Sequence, residues 1–506
     1  ATHIMGAELT WECQGGGDYV FELIFYRDCN GFEVNTTSEN IRVWGHPDVN
    51  DITVDFIERI DISPTCTPSG GSTALDCGTG AEAGNGAGAV EKVIYRSNPI
   101  TLNGTPPADG WVFTYENFSR NGALTNVTNP LTHGMTIAAY MFPIPGATPG
   151  ECLDNSPQFL QKPYVVSCLG DDYLYNPHAV DQDLDSLVFD WATPLDEFPT
   201  GTFDPPVNPA PISFEAGFDF DNPTPDASFD PGNQAAQIDS DNGSITFNSN
   251  TQGNFATKIK VDAYRDGIRI ATVERETQLI VLNCGGGNNT PVVTAPFAGG
   301  TSFETTIDAG DYITFDIQSS DPENLQDGSP QSNFITASGL PFGTNFTNNA
   351  AGCDVGPCAT LDATPPITGV QGASTTFSWQ TSCDHLLDRN GNQLSEVPYT
   401  FVFKVQDDYC QVPKIRYETV TITLKNKEML PPTEIDCITV DENDDVTINW
   451  TQTTDPNGVF EGYEIHRIGD GVVGLVADIN TTSFAIPGDG VAQQDYTVAV
   501  LSGCDG

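Results

Sequence analysis

Basic residues are scarce in this sequence of 506 residues. It holds 19 lysines and arginines against 69 aspartates and glutamates, which gives a formal net charge of −50 at pH 7. A surface of this sign repels phosphate backbones and anionic lipid headgroups, which argues against nucleic acid and membrane surfaces as partners. The same charge favours divalent cations, or a salty medium that screens the repulsion between carboxylates.

Long apolar runs are missing too. No stretch approaches the roughly 18 uninterrupted apolar residues that a membrane-spanning helix needs, so the sequence predicts no membrane insertion. The hydrophobic positions also show no long helical period, which argues against a helical fold.

Signatures of common enzyme classes are absent as well. The six histidines never pair at i and i+4 and never flank a pair of cysteines, which argues against zinc. They are His3, His46, His133, His178, His385 and His466. No local motif marks an activated serine or cysteine nucleophile. Neighbouring carboxylates arise by chance in a chain with 69 acids, so the sequence predicts that the protein is not an enzyme.

Glycine and proline, in contrast, are abundant, with 49 and 36 copies. The runs between them are rich in Val, Ile, Thr, Tyr and Phe and alternate apolar with polar residues, which is typical of strands with one buried face. We therefore expect an all-β protein of β-sandwich modules in a row. The hydrophobic content of 38% over 506 residues is enough to give several domains a core.

Four domains are expected. They are a first β-domain at 1–150, two Ig-like repeats at 151–290 and 291–430, and a last module at 431–506. The repeats are inferred because both show the same features in the same order: a Gly-Asp turn before a strand, at Gly170 and Gly310, then an acidic loop, then a closing pair of strands. We expect the two repeats to be superposable.

The last module follows two consecutive prolines and resembles a fibronectin type III domain. The resemblance lies in Trp450 and in the alternating runs at 462–467 and 496–500. The sequence ends directly after the sixth strand of such a domain, so the closing seventh strand is missing. We expect the natural polypeptide to continue, because a sandwich with an open edge invites unwanted pairing.

Five further stretches are distinctive in combination. They are THIMGAELTWEC at 2–13, YRDCNG at 26–31, VEKVIY at 90–95, ECLDNSPQF at 151–159 and DQDLDSL at 181–187. Together with the last module they resemble the amino-terminal region of very large cell-surface proteins of Bacteroidota, the gliding-motility-associated proteins exported by type IX secretion. The resemblance implies an adhesin or filament component with tandem immunoglobulin-like repeats. It also implies a carboxy-terminal sorting domain, which is not visible in this sequence.

The acidic loops of the two repeats are candidate calcium sites. Their acids are Asp181, Asp183 and Asp185 in the first repeat and Asp321, Glu323 and Asp327 in the second. Calcium takes six to eight hard oxygen ligands, and similar loops in cadherin-like modules stiffen domain junctions. The alternative is a solvated acidic turn, since the usual glycine between the second and third acids is missing. Asp185-Ser186-Leu187 also resembles a short O-glycosylation motif of Bacteroidota.

The 13 cysteines lack the paired spacing of zinc sites and predict disulfides, hence a secreted or extracellular protein. The expected bridges are Cys66–Cys77, Cys353–Cys358, Cys383–Cys410 and Cys437–Cys504. Cys13, Cys29, Cys152, Cys168 and Cys284 would share two more bridges and leave one thiol over. Cys168 with Cys284 would tie the ends of the first repeat, whereas Cys13 and Cys29 lie too far apart along their hairpin to pair.

Two interpretations of function stay open. The first is a secreted, modular cell-surface adhesin or a subunit of an extracellular filament, used for attachment or gliding-type contact. Its partners would be copies of itself or further domains of the same long chain. The second is a carbohydrate- or protein-binding module of a larger secreted protein, which could be accessory to a hydrolase. Its ligands would be surface glycans or proteins held on loops of residues 1–150.

Overall fold

The computed structural model of the chain describes residues 3–504 apart from 81, 119, 148–150, 153, 199, 286, 389–390, 428–429, 457–458 and 492. The described residues form strands and four short 3-10 turns, without an α-helix. The turns are Pro130–Thr132, Thr344–Phe346, Cys383–Leu386 and Asp489–Val491. The all-β fold expected from the sequence is confirmed. Within these ranges no helix has the length and apolar character to cross a membrane.

The first unit contains strands β1 to β17. They are β1 (Ile4–Gly15), β2 (Asp18–Asp28), β3 (Ser38–Trp44), β4 (Asp51–Asp61), β5 (Val90–Ser97), β6 (Ile100–Thr101), β7 (Trp111–Asn117), β8 (Met135–Met141), β9 (Gln158–Phe159), β10 (Val166–Cys168), β11 (Asp172–Tyr175), β12 (Ala179–Val180), β13 (Ser186–Trp191), β14 (Gln234–Ile238), β15 (Ile245–Asn248), β16 (Gly253–Arg265) and β17 (Ile268–Leu282). Twelve of these strands share one sheet.

This large sheet curls on itself. Its path runs β1-β2-β5-β4-β3-β7-β8, and both ends of the path pair with β17, through Glu8 opposite Arg275 and Ala139 opposite Val273. The same strand pairs antiparallel with β16 along its length and parallel with β10. The inner face of the curl is an apolar core. It includes Trp11, Phe25, Tyr95, Phe113 and Ile137.

The boundary expected at residue 150 does not divide this structure. Strand β17 belongs to the predicted first repeat, yet it completes the sheet of the predicted first domain. Its 15 residues are buried almost throughout, because neighbours cover both of its faces. The boundary was misplaced because the alternation of a strand indicates which face is buried and not which strand lies beside it.

The second unit is a sandwich of two sheets. Its strands are β18 (Val292–Thr294), β19 (Glu304–Asp308), β20 (Tyr312–Ser320), β21 (Ser332–Ser338), β22 (Thr360–Leu361), β23 (Ile367–Val370), β24 (Ser374–Gln380), β25 (Glu396–Asp407) and β26 (Ile415–Lys425). One sheet has the order β18-β20-β24-β22 and the other β19-β26-β25-β21-β23. Phe377, Trp379 and Phe401 are fully buried between them.

The two predicted repeats have the same strand order. In the first, β10 runs parallel to β17, which continues through β16 to β13; in the second, β19 runs parallel to β26, which continues through β25 to β21. The opposite sheets also correspond, as β11-β15-β14 and β20-β24-β22. The acidic loops lie at similar places in this order, because one leads into β13 and the other into β21, and these two strands correspond.

The last unit packs two three-stranded sheets. Its strands are β27 (Ile435–Val440), β28 (Val446–Trp450), β29 (Phe460–Arg467), β30 (Gly471–Val476), β31 (Ser483–Ile486) and β32 (Tyr496–Ser502), in the orders β27-β28-β31 and β30-β29-β32. The rings of Trp450 and Tyr463 lie 5.2 Å apart in its core. Both aromatic residues are positions that carried the resemblance to a type III domain.

The chain has six disulfides, and two of them, Cys66–Cys410 and Cys383–Cys504, join different units. The six are Cys13–Cys152, Cys29–Cys77, Cys66–Cys410, Cys168–Cys284, Cys353–Cys358 and Cys383–Cys504, and Cys437 is free. The bridges expected at Cys353–Cys358 and Cys168–Cys284 are present. Those expected at Cys66–Cys77, Cys383–Cys410 and Cys437–Cys504 are wrong.

The predicted Cys66–Cys77 pairing is wrong because the loop after β4 contacts two different segments of the chain. Beside Cys29, the backbone N–H of Gly84 donates to the Cys29 carbonyl at 2.9 Å, which brings Cys77 over that cysteine. Beside Cys66, the N–H of Thr67 donates to the carbonyl of Asp408 in the second unit at 2.8 Å. Cys66 therefore faces Cys410.

The other two wrong pairings fail through strand geometry. Cys383 and Cys410 flank opposite ends of β25, whose 12 residues span about 36 Å, far more than a disulfide bridges. Cys437 lies on the outer face of β27 beside a bulge and is exposed, so its sulfur points away from the core. Cys504 instead joins Cys383 and ties the last unit to the second.

A buried ion pair lies where β1 meets β17. The guanidinium of Arg275, whose side chain is 2% exposed, donates to the carboxylate of Glu8. It also donates to the hydroxyl of Tyr175 at 2.8 Å and to the carbonyl of Gln161 at 2.9 Å. The Tyr26 hydroxyl donates to the same carboxylate at 3.1 Å. One charged group thus joins β1, β2, β11 and β17.

Replacing Arg275 with Met should strongly destabilise the first unit, because the Glu8 carboxylate is left buried and unpaired. We expect a loss of about 3–5 kcal/mol, measured as the shift in the denaturant midpoint of that unit. Arg96→Met is the matched control, since the Arg96–Glu22 pair has a half-exposed guanidinium and should cost about 1 kcal/mol or less. Equal losses in both variants would contradict the structural role assigned to Arg275.

The disulfide pattern predicts one reactive thiol in the oxidised protein. A thiol-specific label should modify Cys437 without denaturant, and Cys437→Ser should abolish the labelling while leaving the thermal unfolding curve unchanged. Non-reducing peptide mapping should recover a peptide pair that joins Cys66 to Cys410. Recovery of Cys66 with Cys77 would show that the first unit is not stapled to the second.

Candidate functional site

The acidic loop of the first repeat folds into a tight turn between β12 and β13. The Oδ1 atom of Asp181 accepts the backbone N–H of Asp183 at 2.8 Å and that of Asp185 at 3.3 Å. Leu184 takes a left-handed φ of 63° to complete the turn. This conformation brings the carboxylates of Asp183 and Asp185 close together, while Asp181 accepts the backbone N–H groups of the turn.

A fourth acid, which the sequence analysis missed, joins them. One carboxylate oxygen from each of Asp154, Asp183 and Asp185 lies within 4.8 Å of the others. The indole Nε1 of Trp11 donates to the Asp154 carbonyl at 3.2 Å, and the N–H of Asn155 donates to Asp183 at 2.6 Å. Asp154 lies near the start of the predicted first repeat, far along the chain from the loop at 181–185, so no local motif could have linked it to the loop.

One guanidinium, that of Arg265 at the end of β16, contacts this cluster within the described part of the chain. Its Nε donates to Asp185 at 2.8 Å and its Nη2 to Oδ1 of Asp154 at 3.0 Å, while Asp183 lies 3.9 Å away. Three buried carboxylates therefore share one compensating positive charge, and Asp181 adds a fourth carboxylate from the same loop.

Because the carboxylates are buried, this excess of negative charge is energetically costly. The side chains of Asp154, Asp183 and Asp185 are 2%, 5% and 3% exposed. Burial, followed by the neighbouring carboxylates, raises the pKa of Asp154 and of Asp181 well above the usual range. Two carboxylate oxygens, Oδ2 of Asp154 and Oδ2 of Asp181, are buried without a hydrogen-bond partner.

The equivalent loop of the second repeat is arranged differently. Asp321 accepts from the Asn333 side chain at 2.9 Å, Glu323 accepts from the N–H of Asn289 at 2.7 Å, and the exposed Asp327 accepts from Ser329 of its own loop. No carboxylate cluster forms there among the described residues. The expectation of a matching calcium site on Asp321, Glu323 and Asp327 is therefore not supported, because each acid already has a separate protein partner.

Ser186 of the possible glycosylation motif is exposed on β13. Its hydroxyl donates to the Tyr264 carbonyl at 3.1 Å.

The acidic cluster borders a cleft between the first and second units. The cleft has a volume of about 360 Å³ and is lined on one side by Asp181, Asp185 and Asp241 and on the other by Glu396 and Thr400. A change of charge in the cluster would therefore alter the electrostatic potential at the junction of the two units.

Beside the cleft, a buried chain of hydrogen bonds connects the two units. The Gln161 amide donates to the Ser338 hydroxyl at 2.8 Å, and that hydroxyl lies 2.6 Å from Nδ1 of His178. Nε2 of His178 lies 3.2 Å from the Thr400 carbonyl. These contacts assign a neutral His178 whose Nε2–H donates to Thr400, with Nδ1 accepting from Ser338.

A cluster of aromatic rings fills the rest of the junction. The Tyr417 ring of the second unit lies 5.5 Å from Tyr175 and 6.2 Å from Tyr164 of the first, and Val402 is buried in the same core. Burying rings of this size across a junction stabilises it strongly. The two units consequently share a hydrophobic core as well as the Cys66–Cys410 bridge.

Comparison with known proteins assigns no family. No family model matches the chain, and neither does any curated protein. Matching solved structures include titin domains (10% identity, TM-score 0.15, covering 69% of this chain and 93% of that one), Sidekick-1 immunoglobulin domains (6%, 0.17, 98% and 92%) and Drosophila N-cadherin (10%, 0.18, 93% and 93%). TM-scores this low carry no argument about function. The chain's own geometry defines it as a modular all-β protein with six disulfides, a bonding state of oxidising, extracellular compartments.

Acid should weaken the junction through His178. Burial lowers its pKa to about 4, against about 6.5 in an unfolded chain. Between these values the unfolded chain binds the extra proton and the folded protein does not, so stability falls as pH drops from about 6.5 to 4, by up to about 3 kcal/mol. His178→Asn, which tolerates the left-handed backbone at this position, should flatten the decline in denaturant midpoint. Identical pH profiles for both proteins would contradict the assignment.

Proposed function

We propose that this chain is the rigid part of a secreted, modular cell-surface protein, an adhesin or a subunit of an extracellular filament. Its role is structural and adhesive rather than catalytic. The observation that carries the proposal is the construction of the junctions: covalent bridges connect all three units, through Cys66–Cys410 and Cys383–Cys504. A protein that holds a cell to a surface transmits force along its length, and such a protein needs junctions that do not bend or open.

The hydrogen bonds support the same proposal. Between the first two units they include the Asn176 side chain donating to the Thr419 hydroxyl at 2.8 Å and the Gln406 side chain donating to the Thr65 carbonyl at 2.8 Å. A buried core, hydrogen bonds and a disulfide together give an interface more extensive than a flexible tether would require.

The proposal takes this rigid part to be the amino-terminal region of a longer surface protein, which the resemblance to gliding-motility-associated proteins supports. In that setting its partners are copies of itself or further domains of the same chain. Its net charge of −50 opposes self-association at low ionic strength, so assembly into a filament would require screening or bound cations.

Force spectroscopy tests the load-bearing role. When the oxidised chain is pulled from its two ends, the Cys66–Cys410 bridge should shorten the path that can be extended. Replacing both cysteines with Ser should therefore increase the contour length released at full extension. The matched control replaces Cys353 and Cys358, whose bridge closes a loop with a separation of 5 residues and should hardly change that length. Equal lengths for the wild type and the first variant would contradict a stapled junction.

Binding and light-scattering measurements separate the adhesive alternatives. Homotypic assembly in physiological salt would support a filament subunit, whereas a monomer that coats beads and makes them adhere to cells would support a single-chain adhesin. A monomer that binds a defined glycan or protein through residues 1–150 would instead establish the binding-module interpretation. Beads that do not adhere, together with a persistent monomer, would contradict the adhesive role.

A further inference from the structure

We propose that Asp154, Asp181, Asp183 and Asp185 form a binding site for one divalent cation, with calcium preferred over magnesium. The site differs from the loop motif visible in the sequence because one ligand, Asp154, comes from the distant segment that connects the first sheet to the first repeat. It stands independently of the proposed surface role, since it follows from the geometry of this cluster.

The excess of negative charge in this cluster favours a bound cation. Three buried carboxylates, those of Asp154, Asp183 and Asp185, share the single guanidinium of Arg265, and Asp181 adds a fourth acid from the same loop. With all four ionised, the negative charges exceed the positive charge by three. Isolated charges are not kept in a protein interior, because the desolvation penalty is large unless a counter-ion or a metal compensates it. A doubly charged cation removes most of this imbalance.

Two oxygen atoms in this cluster have no hydrogen-bond partner and are available as metal ligands. Asp154 and Asp181 are 1% and 6% exposed, and the Oδ2 atom of each has no hydrogen-bond partner. Buried polar atoms are almost always satisfied, so two adjacent exceptions indicate a group that would bind there. In both residues the other oxygen, Oδ1, is already used, by Arg265 and by the turn of the loop respectively. The unsatisfied atoms are therefore the ones that remain for a metal.

Arg265 and the metal have compatible positions. The guanidinium engages Oδ1 of Asp154 and both oxygens of Asp185. This contact holds the carboxylates close together without using Oδ2 of either Asp154 or Asp181. We assign Arg265 the role of a positioning residue that keeps the site assembled before the cation binds, at the expense of some repulsion afterwards.

The ligand set favours calcium. All the side chains offer hard oxygen atoms, and they come from a loop and a connecting segment rather than from an octahedral arrangement of ligands. Calcium accepts irregular geometry with six to eight ligands, and the cleft beside Asp181 and Asp185 supplies room for water as additional ligands. Magnesium requires near-ideal octahedral geometry and gives up its water reluctantly.

The Trp11 indole provides a direct readout. Its Nε1 donates to the Asp154 carbonyl at 3.2 Å, so terbium in the site lies near an excitable ring. Titration of the disulfide-intact chain with terbium should give emission sensitised by tryptophan that calcium displaces, with one equivalent bound. Calcium at on the order of 1 mM, the affinity range of extracellular modules, should raise the melting temperature, and a chelator should reverse the rise.

Isosteric variants test the ligands. Asp154→Asn and Asp181→Asn should each weaken calcium binding by about tenfold or more, because each removes a charged ligand. The matched control Asp321→Asn, in the equivalent loop of the second repeat, should leave affinity unchanged. Arg265→Gln should lower the melting temperature in chelator and increase the stabilisation by calcium, since the competing positive charge is gone. Near-ultraviolet circular dichroism verifies that each variant is folded.

Three outcomes would overturn the proposal. They are a melting temperature that does not respond to calcium, sensitised emission that survives in both Asp154→Asn and Asp181→Asn, and weakening of binding by Asp321→Asn as large as that by the two site variants. Stabilisation by magnesium equal to that by calcium would overturn the stated preference. A folded Arg265→Gln variant that shows no change in either measurement would overturn the positioning role of that residue.

Discussion

The pairing of β17 with two different parts of the chain is the constraint on which the rest of the structure depends. This strand closes the curled sheet by contacting β1 and β8, and it also forms the end of the first repeat through β16 and β10. Near the middle of β17, Arg275 is buried against Glu8. A shift in the register of β1 on β17 would separate these two buried charges, so the ion pair fixes the register. Without this strand the first core is open on one side and the repeat loses its principal sheet.

The closed first unit in turn positions everything at its junction with the second. Strand β11 presents Tyr175 to the aromatic cluster, and the segment before it supplies Gln161 to the chain of hydrogen bonds through His178. The segment that leaves the curled sheet brings Asp154 to the acidic loop. Stiffness of the junction and assembly of the acidic cluster are thus two consequences of the same packing.

The cysteines illustrate how far sequence reasoning reached. Cys353 and Cys358 are near neighbours, so loop closure alone predicts their bridge. Cys168 and Cys284 flank paired strands of a recognisable repeat. Cys66 and Cys410 are separated by 344 residues and belong to different units; their proximity depends on how the units dock, which no spacing rule contains. Likewise the alternation of Asp181, Asp183 and Asp185 indicated an acidic turn, while the neighbouring charge of Arg265 was invisible.

The sequence by itself determined the all-β class, the repeat of strand order and the positions of the aromatic residues in the last unit, because these follow from alternation, turn residues and local spacing. Only the tertiary structure decided that the first two predicted domains share one sheet, which cysteines meet across units, and that Asp154 completes an acidic cluster in one repeat but not in the other. These features arise from contacts between distant segments. A strand's pattern states which face it buries, whereas its neighbours are selected by packing of the whole chain.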